Sequence, residues 1–180
     1  MMAKTHVVIG LTFAVYKLGA LQTGQYTVPE YGAVLVGLVI GSLLPDIDHP
    51  QSTISQFIPI VGRFIAAWTQ HRGLFHSILG VILLFLTLAF GSGAMVNISA
   101  SYGLGTQLPR YFSVGIIIGY VLHIIADMIT TNGVKLLYPL KWNVGLPLFS
   151  TGGIREMVLR WGLIGLSVAM VVRFILGYIA

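Results

Sequence analysis

Apolar residues come in long blocks along this chain, and the blocks outlast the stripes that a soluble helix or strand needs. Five of them, residues 6–21, 29–44, 74–90, 111–130 and 157–180, predict five helices. The third, fourth and fifth are long enough to cross about 30 Å of hydrocarbon at about 1.5 Å per residue. The second is short and the first carries Lys17, so tilt or snorkelling has to help both across. Pro29 suits a first helical turn and Pro45 a stop, because proline has no amide proton to donate. Between residues 51 and 68, Ile54, Phe57, Ile58, Val61, Phe64 and Ile65 recur at helical spacing against Gln56 and Arg63, which predicts an interfacial helix interrupted at Pro59. Residues 91–110 and 131–155, rich in Gly, Pro, Ser, Thr and Asn, read as loops. There is no internal repeat. The expected fold is therefore all-α: a single membrane-embedded domain over residues 1–180, a polytopic bundle of about five transmembrane helices plus an interfacial helix.

Composition agrees, since 56% hydrophobic and 8% charged residues leave too little polar surface for a soluble domain of this length. Lys4 precedes the first block, but no small-residue cleavage site follows it convincingly, so a retained helix is expected and not a removed signal peptide. The formal charge of +5 is scattered over loops and helix ends, which suits anionic lipid headgroups and not a nucleic-acid stripe. With the N-terminus inside, the cytoplasmic segments carry Lys4, Arg63, Arg72, Lys135, Lys141, Arg155 and Arg160, against Lys17, Arg110 and Arg173 on the other side. The positive-inside rule favours that orientation in an inner, plasma membrane. Parity then brings His6, Asp46, Asp48, His49, His71, His76, His123, Asp127 and Glu156 to the cytoplasmic ends and leaves only Glu30 opposite.

Those residues carry the chemistry, because ionisable groups beside membrane-spanning segments are costly unless they have a use. No cysteine is present, so a metal would have to sit on nitrogen and oxygen. His123 and Asp127 lie four apart on the fourth helix and so share one face, as a chelating pair does; a hydrogen-bonded pair joining two helices has the same spacing. In HRGLFH, His71 precedes the third helix and His76 lies one turn inside it, with Gly73 allowing a bend. In PDIDH, Asp46 and Asp48 are candidate ligands at the end of the second helix, although Asp is also a common loop and N-cap residue. His49 precedes Pro50, and His6 either caps the first helix or joins the cluster. Arg72, Lys141 and Arg155 are candidates for an anionic headgroup, with ordinary positive-inside anchoring as the alternative. HExxH is absent, and Ser77 lacks the context of a nucleophile elbow.

In order and spacing, His6, GSLLPDIDHP, HRGLFHS and HIIADMITTNG followed by Pro139 resemble the YdjM-like family of membrane-bound metal-dependent hydrolases, also described as LexA-binding and inner-membrane-associated. The resemblance covers nearly the whole chain and is most specific in PDIDH, HRGLFHS and the series Asp127, Thr130, Gly133. It implies a hydrolase and is itself distantly similar to zinc-dependent phospholipase C, whose multinuclear zinc site is built from His and Asp on helices. That likeness transfers to His123 and Asp127 first, then to Asp46 or Asp48 and His71, and then to His6.

These readings converge on a cytosol-facing His/Asp centre holding a divalent metal, zinc with two or more ions, that hydrolyses a lipid or lipid-linked phosphoester through activated water. Asp48 is the expected proton-handling or outer-layer carboxylate and Asp46 the ligand, with the reverse also open. The expected partners are membrane lipids. Two rivals remain: a noncatalytic membrane regulator with a structural metal, and a divalent-cation transporter, which would need ligands along a path through the midmembrane.

Overall fold

The computed structural model describes residues 1–68, 73–101 and 107–179. Its first helix, α1 (Ala3–Tyr16), is followed by a single turn, α2 (Gly19–Gln22), and then by α3 (Val28–Leu43). Thr27 starts α3 through a capping box with Glu30, whose side chain accepts from the Thr27 backbone N–H at 2.8 Å, and Pro29 occupies the first turn as its chemistry requires. At Leu44 the backbone tightens into a 3₁₀ turn, Leu44–Asp48. Two short helices follow, α4 (Thr53–Phe57) and α5 (Pro59–Trp68), split at Pro59. Ile60, Phe64 and Trp68 stand exposed on α5, as a helix lying along an interface would present them. A second 3₁₀ turn, Leu74–His76, leads into α6 (Ile78–Ser101), α7 (Leu108–Met128) and, after a long loop, α8 (Ile154–Ile179).

Among the described residues, four helical stretches are long and apolar enough to cross a membrane: Val28–Asp48, Ile78–Ile98, Leu108–Met128 and Ile154–Gly177. The helical membrane bundle stands as expected, but the first of the five expected helices stops at Tyr16. Fourteen residues cover about 21 Å, short of the hydrocarbon thickness. Its end falls where Lys17 enters, with the ammonium near the Phe13 and Tyr16 rings. A second correction concerns residues 91–101, expected as loop: they continue α6 to Ser101, so Gly91 and Gly93 are helical. Ala94, Met95, Val96 and Ile98 carry the helix past two glycines that would each cost about 1 kcal/mol in water. The 131–155 loop is irregular as expected, pinned by isolated β-bridges at Thr130–Phe149 and Val134–Val144.

The most extensive helix pair joins α3 and α7. Gly37 and Gly41 on α3 face Gly115 and Gly119 on α7, one GxxxG opposite another. A Cβ on Gly37 would strike the Phe112 carbonyl, on Gly41 the Ile116 carbonyl, on Gly115 the Val34 carbonyl and on Gly119 the Leu38 carbonyl. Backbones this close gain dispersion contacts that lipid cannot match, which is why small residues line such crossings. The crossing brings the end of α3 beside the last turns of α7. The start of α1, both 3₁₀ turns and the start of α8 meet at the same end.

Candidate metal centre

Each donor arrives on a different piece of backbone. α1 brings His6 in its first turn, the 3₁₀ turn after α3 brings Asp46 and Asp48, the turn before α6 brings His76, and α7 brings His123 and Asp127. His76 thus precedes the third long helix and does not lie inside it. The reason is Ser77, whose hydroxyl accepts from the Gly80 N–H at 3.2 Å and so starts α6 one residue later. His6, His76, His123, Asp48 and Asp127 are each no more than 2% exposed.

Four polar atoms surround one point. His76 Nε2 lies 3.5 Å from Asp46 Oδ1 and 3.7 Å from Asp127 Oδ2; His123 Nε2 lies 3.6 and 3.8 Å from the same two oxygens. Ligands on a tetrahedral zinc at about 2.0–2.1 Å stand about 3.3–3.4 Å apart, so these edges are a few tenths of an ångström wide of a filled site. Beside this group, Asp127 Oδ1 reaches His6 Nε2 at 3.3 Å and the α-amino group of Met1. The His6 ring stacks on His123 with centroids 3.6 Å apart. Among the described residues two donor triads therefore overlap: Asp46, His76 and His123, and His6, His123 and Asp127.

The residues fit a metal on a further observation. Among the described residues, the His6 Nδ1 and the His123 Nε2 have no hydrogen-bond partner, and the His6 Nε2 has only the Asp127 carboxylate at 3.3 Å, although all three are buried. Such nitrogens are costly to leave unmet in a dry interior, and a divalent cation meets them. The outer layer has the form that metal-binding histidines need. His123 Nδ1 donates to the Ser42 carbonyl at 2.7 Å, which turns the Nε2 lone pair inward, and Asp48 Oδ2 stands 3.7 Å from His76 Nδ1. Burial pushes the His76 imidazole pKa down, but hydrogen bonds and charge from Asp48 and Asp46 more than reverse it, raising it to about 9. A cation must displace that proton. Affinity for zinc is therefore expected to weaken about tenfold per pH unit below pH 9, the sense expected for a ligand protonated in the metal-free state. Titration calorimetry in buffers of different ionisation enthalpy should detect the released proton; pH-independent binding would rule His76 out as a ligand.

Not every sequence candidate joins the centre. His49 lies outside both donor groups: its backbone turns extended after the 3₁₀ turn, and its Nδ1 accepts from the Gln51 N–H at 3.2 Å. His71 and Arg72 fall outside the described residues. Lys141 and Arg155 are exposed, in the loop after α7 and the first turn of α8. One residue that the sequence placed only at the cytoplasmic ends, with no specific part, has a definite one here. Glu156, 1% exposed, accepts from the Met2 N–H at 2.7 Å, the Thr5 hydroxyl at 2.6 Å and the Gly152 N–H at 2.7 Å. It ties α8 to the turn of α1 that carries His6. The available signal was a lone acid in the first turn of an otherwise apolar helix.

Comparison with known proteins places this architecture in context. The whole chain, residues 1–180, matches the family model described as YdjM inner membrane protein. Inner membrane protein YdjM of Escherichia coli (strain K12) is 32% identical over 148 residues, covering 82% of this chain and 70% of its own length. YvsG, an uncharacterized protein of Bacillus subtilis (strain 168), is 31% identical over 170 residues, covering 91% of this chain and 89% of its own. No solved structure matches.

Proposed function

For this chain, which belongs to the YdjM family of inner membrane proteins, we propose metal-dependent hydrolysis of a membrane-resident phosphoester at the cytoplasmic face. The observation that carries the reading is an asymmetry in burial. The Asp46 side chain is 18% exposed, while the side chains of His6, His76, His123, Asp48 and Asp127 are between 0 and 2%. Among the described residues the centre is thus buried except at Asp46, and that side would leave a way in for water and a headgroup. A purely structural site has no use for such an approach.

His76, His123, Asp46 and Asp127 would hold one divalent cation, with zinc the best match to nitrogen and oxygen donors at these spacings. A second cation would draw on His6 and on the Asp127 oxygen that faces it, in place of the Met1 ammonium now paired there. Such a cation supplies Lewis acidity, lowering the pKa of water and taking up charge on a phosphoryl oxygen. The protein's own part is positional. Asp48 orients the His76 ring and keeps a proton on its outer nitrogen, Ser42 does the same for His123, and the buried surround excludes bulk water. Asp48 is a positioning residue in this scheme. A noncatalytic protein with a structural metal is the second reading, favoured by four protein donors that could close a tetrahedron without water.

Metal-replete protein in bilayers, offered phosphatidyl and polyprenyl phosphoesters and short-chain analogues with the same reacting group, is expected to cleave the long-chain substrates preferentially. Tails add binding energy away from the reacting phosphorus. Equal turnover of tailless analogues would reject a lipid substrate, and no turnover with a fully occupied site would favour the structural metal. Orientation is tested separately, since the chain has no cysteine. Single cysteines at exposed Gln51 and Lys141 should resist an impermeant thiol reagent in intact cells, and one at exposed Gln25, in the α2–α3 turn, should react. The opposite pattern would put the centre on the outer face.

A further inference from the structure

A cavity of about 240 Å³ lies between the two 3₁₀ turns, α6 and α7. Its upper wall is made by residues interleaved with the donors: Ile47 sits between Asp46 and Asp48, and Phe75 directly precedes His76. Its lower wall is Leu83, Leu84 and Thr87 on α6. On α6 the lining runs from Gly80 to Thr87, seven residues further along, so the cavity follows that helix for about 10 Å at about 1.5 Å per residue, from donor level toward the hydrocarbon interior. α6 is apolar enough to span a membrane and exposes Ile82, Leu83, Phe85 and Leu86 along this stretch.

What fills the cavity is constrained by its polar atoms. The Tyr120 hydroxyl donates to the Phe75 carbonyl, and the Thr87 hydroxyl donates to the Leu83 carbonyl at 2.8 Å. Both hydroxyl protons are spent inside the protein, and the remaining wall is Leu, Ile, Phe and glycine carbon. Water or a polar ligand would find little to bind there, whereas a hydrocarbon chain would lose nothing by entering.

We propose that this cavity receives the acyl or prenyl chain of the substrate, its upper end seating the first carbons below the headgroup beside Asp46 and His76. The proposal rests on the reading of the centre as a phosphoester site, and it adds a place for the tail. A chain held there would fix the depth of the headgroup and make turnover sensitive to the shape of the first several methylenes, where the walls are formed by the donor-bearing turns themselves.

The test uses full-length, zinc-loaded protein in vesicles that contain a phospholipid with a diazirine near the carboxyl end of one acyl chain. After irradiation, adducts mapped by mass spectrometry should concentrate several-fold at residues 44–47, 74–87 and Tyr120 relative to the exposed face of α8. Leu83→Trp, which fills the cavity without touching a donor, should bring that labelling down to the α8 background while zinc content stays unchanged. Thr87→Trp, at the deep end, should do the same should Leu83→Trp fail to fold, as judged by zinc content. Even labelling over all lipid-facing helices, or concentrated labelling that survives both substitutions with zinc retained, would overturn the proposal. Phosphoester turnover by the unaltered protein is read independently: turnover with even labelling removes the tail site and keeps the hydrolase, and concentrated labelling without turnover keeps a lipid site and removes the hydrolase.

Discussion

Protein carrying His123→Ala is expected to be purified nearly free of metal, with the loss at least about tenfold, the lower end of what even an outer-layer change costs. His123 is the one residue common to both donor triads, and its Nε2 has no hydrogen-bond partner among the described residues. With its Nδ1 committed to the Ser42 carbonyl, the ring cannot turn to offer a substitute, and its removal also takes away the surface on which His6 stacks. Asp127→Asn should act in the same direction, because it removes the charge that faces His6, His76 and His123 together. Insertion into the membrane depends on the apolar helices and should persist in both. His49→Ala is the control and should leave metal content unchanged, since that side chain lies outside both groups of donors. Elemental analysis of the three purified variants decides the matter; full stoichiometry in His123→Ala and Asp127→Asn would refute the assignment.

The existence of the long helices was legible because their apolar blocks have few competing readings at that length. His6, Asp46, His76, His123 and Asp127 do gather at one end, although the expected count of five crossings does not hold, since the first helix stops at Tyr16. The four-residue spacing of His123 and Asp127 is met in α7, where they lie 3.8 Å apart. What failed did so for local reasons. Residues 91–101 contain the Gly and Ser that end helices in water, yet among apolar neighbours they extend α6. His76 was displaced from its helix by a single serine cap, a choice that HRGLFHS does not announce. His49 shares the PDIDH run with Asp46 and Asp48, but the 3₁₀ turn ends at Asp48 and the extended backbone at His49 carries its ring out of both donor groups. The second carboxylate, Asp48, meets the other nitrogen of the same His76 that faces Asp46, and only the turn's coordinates separate those two positions. The facing GxxxG pairs were present in the sequence and overlooked, hidden because Gly37, Gly41, Gly115 and Gly119 are scattered among 22 glycines.

Gly119→Leu is accordingly expected to damage the metal centre from a distance, although residue 119 carries no donor. A Cβ there would meet the Leu38 carbonyl and the Ser42 amide, both backbone atoms of α3 that cannot rotate aside. The helices would have to separate, and overpacking of this kind costs about 1–3 kcal/mol or more. The displaced segment is the one that positions function. Ser42 supplies the carbonyl that orients His123, and four residues later Asp46 completes the group on His76 and His123. An edge of 3.6 Å between His123 and Asp46 is already slightly wide, so a shift of even an ångström would leave them unable to share a cation. Gly119→Leu should therefore lower the thermal unfolding midpoint and the metal content together, with Gly41→Leu, against the Ile116 carbonyl, giving a similar result from the opposite helix. Gly162→Ala on α8, where an added Cβ meets nothing, should leave metal content unaltered and be neutral or slightly stabilising through helix propensity. Fluorescence-detected size exclusion after heating, paired with elemental analysis, measures both quantities on one sample. Retention of full metal content by Gly119→Leu and Gly41→Leu would show that the α3–α7 crossing does not set the geometry of the centre.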